Sequence, residues 1–182
     1  TSGTSSRIAL DQKSSNLQSE SAAKILGDFL GVEKRPLLVL DSVKSLRRRG
    51  EMSARVAAAM SLQPLASDIV FLLQDAENPK SMKWDVLRDV LLKNEHFILY
   101  GFSWILWLAW GVAEFPQDIK ELLRDKEISF VHSGGWKKLE AIKVQHDDFD
   151  AAVLRAVGKK SKVIDFYGLV EQMGIIYPMC EY

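Results

Sequence analysis

Three short segments carry residue types that can do chemistry. The chain starts Thr1-Ser2-Gly3-Thr4-Ser5-Ser6, a run whose hydroxyls and glycine let successive backbone N–H groups turn inward around an anion such as a phosphate. Ser/Thr/Gly clusters also make plain loops, and the P-loop spacing GxxxxGK[ST] is absent, which excludes an ordinary kinase or GTPase site. His132-Ser133-Gly134-Gly135-Trp136 puts two glycines between an apolar run and a helical pattern, where backbone can approach a flat ligand or simply make a tight βα turn. In DFYGLVEQMG, Asp165 to Gly174, an aromatic residue and a glycine hinge precede Glu171. Glu171 is placed either for a metal ion or cationic partner or to complement a helix dipole.

Other reactive side chains point to less. His96, His132 and His146 lie far apart, and no Cys or Asp completes a ligand spacing, so no structural zinc site is indicated. His96 and His132 fit hydrogen-bonded structural roles at strand ends. Arg47 to Arg49 reads as a solvated basic loop. Cys180 is the sole cysteine, cannot form an internal disulfide, and reads as an inert thiol.

The elements that must position these segments alternate. Helical spacing of Ala22, Ala23, Leu26, Phe29 and Leu30 predicts a helix from Ser14 to Gly31, with Gly31 as its C-terminal cap. Apolar runs bounded by turn residues predict buried strands at Pro36–Val43, Asp68–Gln74, His96–Phe102, Ile128–Ser133 and Lys162–Gly168. The ending GIIYPMC reads as the start of another. Between the strands fall predicted helices at Ser53–Leu62, Met82–Asn94, Trp104–Glu114, Gln117–Lys126, Trp136–Lys143 and Phe149–Val157, with Pro116 separating two of them. This alternation predicts an α/β fold with a mainly parallel sheet and helices on both faces. Ligands in such sheets sit beyond the carboxyl ends of strands, so Tyr100–Phe102, His132–Trp136 and Phe166–Glu171 are the places to inspect.

Composition narrows the classes. The 182 residues are 47% hydrophobic, with 24 basic and 24 acidic side chains, so a sizeable core is expected and disorder as the main state is excluded. Zero net charge removes the broad attraction to phosphate backbones, and no nucleic-acid partner is expected. Phe97 to Ala113 is uncharged, close to the shortest membrane span. Gly101, Gly111 and the mid-segment Trp104, Trp107 and Trp110 favour a buried strand followed by a core helix, and no span is expected. The tryptophan stripe itself fits a core or an apolar ligand wall. With no signal-peptide pattern and one cysteine, a reducing, cytoplasmic setting is expected.

The order of the segments is more specific than any one of them. TSGTSS, then HSGGW about 130 residues later, then DFYGLVEQ about 30 further on resembles the adenylate-forming superfamily of acyl-CoA synthetases, peptide-synthetase adenylation domains and luciferases, over nearly the whole chain. Within it, DFYGLVEQMG with HSGGWKKLE and YGFSWILW looks like the acyl-protein synthetase (LuxE-like) branch of bacterial luminescence operons, a relative of phenylacetate-CoA ligases. The resemblance implies ATP and Mg2+ as cofactors. It implies phosphate contacts from Thr1, Ser2, Gly3, Thr4 and Ser5, and adenine contacts from Gly134, Gly135, Trp136, Phe166, Tyr167 and Gly168. Glu171 would be the catalytic residue, holding magnesium through ATP, and Tyr100, Phe102 and the region after Gly174 would flank an acyl pocket. Two departures stand out: Val170 occupies the position before the Glu where the wider superfamily has Ser or Thr, and Ser6-Arg7 replaces the usual Gly and Pro-Lys, so that Arg7 stands in for the lysine.

The implied reaction is activation of a long-chain fatty acid as acyl-AMP, followed by thioester formation on a protein thiol. The implied partners are a fatty or aromatic carboxylic acid, an acyl-accepting thiol on a protein or CoA, and acyl-transferase and reductase components of a complex. An acyl- or aryl-CoA ligase and a noncatalytic nucleotide-binding scaffold are the alternatives. A start without Met and an end without capping chemistry set the expectation of a partial AMP-binding domain spanning 1–182, part of the large N-terminal domain of a longer enzyme. The ribose-binding Asp and lid Lys that the resemblance implies would then lie beyond it. Residues 1–182 alone are therefore expected to release little or no pyrophosphate from ATP and a carboxylic acid; a clear release rate from this fragment would overturn that expectation.

Overall fold

A computed structural model describes residues 12–47, 54–136, 140–168 and 176–179. Helix α1, Gln12–Leu30, buries Ala22, Ala23, Leu26 and Leu30 along one stripe and ends at Gly31, whose φ of +84° glycine adopts without strain. Strand β1 is Arg35–Val39, followed by a 3-10 turn at Val43–Arg47 and helix α2 at Ala54–Met60. Strand β2 (Ala66–Phe71), helix α3 (Trp84–Lys93) and strand β3 (His96–Phe102) come next. Helix α4 is a single turn, Ser103–Leu106, that widens into a π-helical turn at Trp107–Gly111. Then follow α5 (Gln117–Leu123), β4 (Glu127–Ser133), a 3-10 turn (Glu140–Ile142), α6 (His146–Leu154), β5 (Lys162–Gly168) and β6 (Ile176–Pro178).

The strands form one sheet in the order β2-β1-β3-β4-β5-β6, parallel throughout except for the antiparallel β5–β6 pair. Alternate residues feed two cores. On one face Leu38, Leu99, Phe97, Ile128 and Phe130 meet Leu87 and Leu91 of α3, Ile119 and Leu123 of α5, and Phe149 and Val153 of α6. On the other, Leu37, Val39, Ile98, Val131 and Ile164 meet Leu26 and Leu30 of α1 and Ala59 of α2. The α/β fold with helices on both faces is as the alternation predicts. Helix α2 lies opposite α3 because the crossover from β1 runs toward β2 while every later parallel crossover runs the other way, and right-handed connections in opposite directions cover opposite faces.

Several boundaries differ from the periodicity. β1 stops at Val39, four residues before the end of its apolar run: the chain bends at Leu40 and Asp41, although the Leu40 N–H still donates to the Tyr100 carbonyl at 2.8 Å and the Asp41 carbonyl still accepts from the Leu73 N–H at 3.0 Å. The helix expected over Trp104–Glu114 is one α turn and one π turn. An added Cβ at Gly111 would sit 3.0 Å from the Trp107 ring, so the wider turn packs the tryptophan against its own backbone. The widening also splits the stripe: Trp110 is fully buried, its Nε1 donating to the Val153 carbonyl at 3.1 Å, whereas Trp104 and Trp107 are only partly buried. Of the helix expected at Trp136–Lys143, the described residues show a 3-10 turn at Glu140–Ile142, with Trp136 before it and Lys143 after it outside any helix.

Among the described residues no helix is long and apolar enough to cross a membrane. Trp110 contacts Phe115 and Phe130 edge-on, at 4.9 and 5.4 Å between centroids. Trp110→Ala is expected to destabilise the fold by about 3–5 kcal/mol, read as a lower denaturant midpoint with an unchanged slope.

Candidate functional site

The sheet order places its switch between β1 and β3, where connections leave for opposite faces and open a crevice beyond the carboxyl ends. The Tyr100–Ser103 end of β3 borders that crevice. Tyr100 is buried in the α1/α2-side core, its ring 6.5 Å from Phe166 and its hydroxyl 3.0 Å from Ser133 Oγ. Burial pushes its phenol well above the ordinary range, keeping it neutral. Phe102 is half-buried at the strand end, where both cores meet.

The turn after β4 is fixed from below. Ser103 Oγ donates to the Gly134 carbonyl at 2.7 Å and so offers a lone pair to His132 Nδ1 at 3.0 Å, which assigns the proton to Nδ1. Gly134 has φ +78°, and an added Cβ would lie 3.3 Å from the Phe102 ring, so a side chain is disfavoured by conformation and by space. Trp136 then caps an aromatic cluster, 5.9 Å from Trp107 and 6.0 Å from Phe149 between centroids.

His132 is 4% exposed and packs 4.8 Å from the Phe149 ring. Burial, assisted by the nearby His146, pushes its pKa down to about 4. Asp165 Oδ1 lies 3.5 Å from the same Nδ1, and burial pushes this carboxyl up to about 6, with His146 opposing and Asp150 adding to the rise. Ser103, His132 and Asp165 are not a nucleophilic relay: serine and carboxylate share one ring nitrogen, and the serine proton is committed to a carbonyl. They act instead as a knot that holds the Gly134 turn.

β5 delivers the remaining described candidates. Ser133 of β4 pairs with Phe166 as the last rung of that ladder, so the turn that begins at Gly134 starts beside the end of β5 although about 30 residues separate them. Phe166 is buried in the core, whereas Tyr167 is 61% exposed. Thr1–Ser5, Arg7, Glu171 and Gly174 lie outside the described residues, as does Cys180. Among the described residues no group of three His, Cys, Asp or Glu side chains could hold a metal ion.

A second polar knot went unmarked in the sequence. Asp41, 2% exposed, accepts from the Ser42 backbone N–H and from Ser45 Oγ, each at 2.7 Å, and pairs with Arg55 Nε at 3.2 Å. Arg55 also reaches Glu77 at 3.2 Å, so β1's end, α2 and the loop after β2 are tied together beside the switch point. The available signal was a carboxylate right after LLVL, masked by extending the strand to Val43.

Fold and site define an open, doubly wound α/β protein whose candidate ligand-binding residues collect at the carboxyl edge of the sheet. The chain belongs to the LuxE acyl-protein synthetase family, whose model matches residues 1–182. Membership makes it a ligase with an acyl substrate and a protein acceptor, in a family tied to bioluminescence. No curated protein sequence matches the chain.

The two perturbed groups at the knot oppose each other in acid. Asp165 titrates higher in the folded state, so its contribution is present below its ordinary pKa near 3.8 and is lost as pH rises through about 6. His132 titrates lower, so its contribution is present above 6.5 and is lost as pH falls through about 4. Asp165→Asn removes the first effect alone. Its stability is expected to rise more steeply than wild type between pH 4 and 6.5, measured as the urea midpoint against pH.

Proposed function

We propose that the protein activates a long-chain fatty acid with ATP and passes the acyl group to a protein thiol, in the cytoplasm, where such a thiol stays reduced. The observation that carries this reading is that the β4–β5 ladder ends at Ser133–Phe166, so the turn beginning at Gly134 leaves the sheet at the carboxyl edge next to the Phe166–Gly168 end of β5. Together with the family match, it supports a flat base lying between a backbone turn and an aromatic ring.

In this reading a carboxylate oxygen of the fatty acid attacks the α-phosphorus of ATP. The Pα–O–Pβ bond breaks, pyrophosphate leaves, and an acyl-AMP mixed anhydride remains. A thiolate then attacks the acyl carbon and AMP departs, leaving the thioester. Gly134, Gly135, Trp136, Tyr167 and Gly168 frame the adenine, while Phe166 turns into the α1/α2-side core and supports that edge from behind. Backbone N–H groups of Thr1–Ser5, with Arg7, neutralise charge on the phosphates as the leaving group separates. Glu171 would supply the one carboxylate that a nucleotide-borne Mg2+ needs besides phosphate oxygens, and the ion would offset charge on the phosphates. Phe102 and the region after Gly174 flank the acyl chain, with Tyr100 bracing that wall from behind through Ser133. The chain forms part of the large domain of an adenylate-forming enzyme related to phenylacetate-CoA ligases, its lid Lys lying on another domain.

The test is carboxylate-dependent exchange of labelled pyrophosphate into ATP by the full-length protein, offered acetate, phenylacetate or tetradecanoate. Exchange is expected with tetradecanoate and without CoA. Preference for phenylacetate with CoA-dependent product formation would turn the assignment to an aryl-CoA ligase, and no exchange with any acid would remove the adenylation chemistry. Glu171→Gln is expected to slow exchange by on the order of 100-fold; an unchanged rate would favour a noncatalytic scaffold.

A further inference from the structure

The antiparallel end of the sheet adds a residue that none of the three starting segments contains. In β5, Ile164 and Phe166 pack into the α1/α2-side core, so Asp165 and Tyr167 face the opposite side, where His132 meets Asp165 across the β4–β5 pair. β6 continues that face. Its residue directly opposite Tyr167 is Tyr177, and the Met179 N–H donates to the Asp165 carbonyl at 2.8 Å, which fixes the register one step further in. Residues directly opposite in an antiparallel pair share a face, with Cβ atoms about 4.5–5.5 Å apart.

Both rings are accessible: Tyr167 is 61% exposed and Tyr177 is 48% exposed, large values for aromatic side chains within a sheet. On the far side of Tyr167, one residue beyond the Ser133–Phe166 pair, stands Gly134, which carries no side chain. Gly134 belongs to the turn just past β4, and beyond it on this face two phenols follow on neighbouring strands, Tyr167 of β5 and Tyr177 of β6. Helix α6 covers β5 on this face, whereas β6 is contacted by α1 from the other face.

We infer that Tyr177 forms a continuous two-ring shelf with Tyr167, on which the purine of the nucleotide lies with its edge toward the backbone of the Gly134 turn. This deepens the nucleotide-binding reading and rests on it. One phenol is about the size of a pyrimidine, and the fused rings of a purine extend over both. The shelf therefore favours purine over pyrimidine nucleotides by contact area. Tyr177 acts here as a binding residue and takes no part in the chemical steps.

The experiment uses the full-length protein and ATP·Mg2+ and CTP·Mg2+ as probes in equilibrium binding, alongside pyrophosphate exchange. Tyr177→Ala and Tyr177→Leu are compared with Tyr177→Phe; the leucine variant fills the strand position without a ring, should the alanine variant fold poorly. Loss of one stacked ring is expected to weaken ATP binding about 10-fold in the Ala and Leu variants. The KM for the fatty acid and the unliganded thermal midpoint of the Leu variant should stay unchanged, with Phe close to wild type and the ATP-over-CTP preference reduced. ATP binding at wild-type strength in the Leu variant overturns the shelf while leaving the nucleotide reading intact. Failure of the wild-type protein to bind ATP overturns both, and a loss shared equally by fatty-acid KM and thermal midpoint assigns Tyr177 to structure alone and overturns the inference.

Discussion

The structure depends on one ladder. His96–Phe102 of β3 and Glu127–Ser133 of β4 pair residue for residue without interruption, and apart from Phe102 and the residues at the ladder's entry both strands are buried. Apolar side chains cover both faces of that ladder, so its backbone groups have few alternative partners and a slip of register would leave them unsatisfied. β1 and β5 attach to its two sides, and the helices are placed by which face their crossovers must cover. Because the ladder runs through to Phe102 and Ser133 at the same level, the two chain reversals that follow it emerge side by side.

That coincidence is what makes a site. Tyr100 and Ser103 on the β3 side reach across to Ser133 and Gly134 on the β4 side, so two hydrogen bonds link one strand end to the other strand's turn. The groups in these two bonds are neutral, burial holding the Tyr100 phenol protonated, and the His132 ring beneath them is the uncharged imidazole with its one proton on Nδ1. A turn held by neutral, buried hydrogen bonds keeps its geometry when a charged ligand arrives, since it contains no ion pair for that charge to pull apart. The Asp41–Arg55 knot at the neighbouring strand end is ionic instead: Asp41 Oδ1 accepts both hydrogen bonds, and Oδ2 faces the Arg55 guanidinium as an ion pair.

The face opposite α1 grades from sealed to open across the sheet. Under α3, α5 and α6 it is packed with Leu, Phe and Trp side chains, and Trp110 is fully buried. Past α6, at the outer end of β5 and along β6, the helical cover ends and the rings of Tyr167 and Tyr177 become accessible.

By itself, the sequence determined the alternation of buried strands with amphipathic helices, hence the α/β class and a mainly parallel sheet. It also determined Gly31 and Gly134 as backbone exceptions, and the order of segments that carries the family resemblance. β3 and β5 read cleanly because an apolar run with turn residues at both ends has few other uses. Tertiary structure decided what periodicity cannot encode. Trp104, Trp107 and Trp110 share one helical stripe on paper, but a π turn sends only Trp110 into the core, and that choice depends on Gly111 accepting the Trp107 ring. Asp41 sat inside an apolar run and looked like strand, because its partners, Ser45 and Arg55, come from elements whose position depends on the crossover to β2. The pairing of Tyr167 with Tyr177 and of Gly134's turn with Phe166 required strand order and register. Both arise from long-range hydrogen bonding and face burial, which a one-dimensional pattern specifies only through the folded sheet.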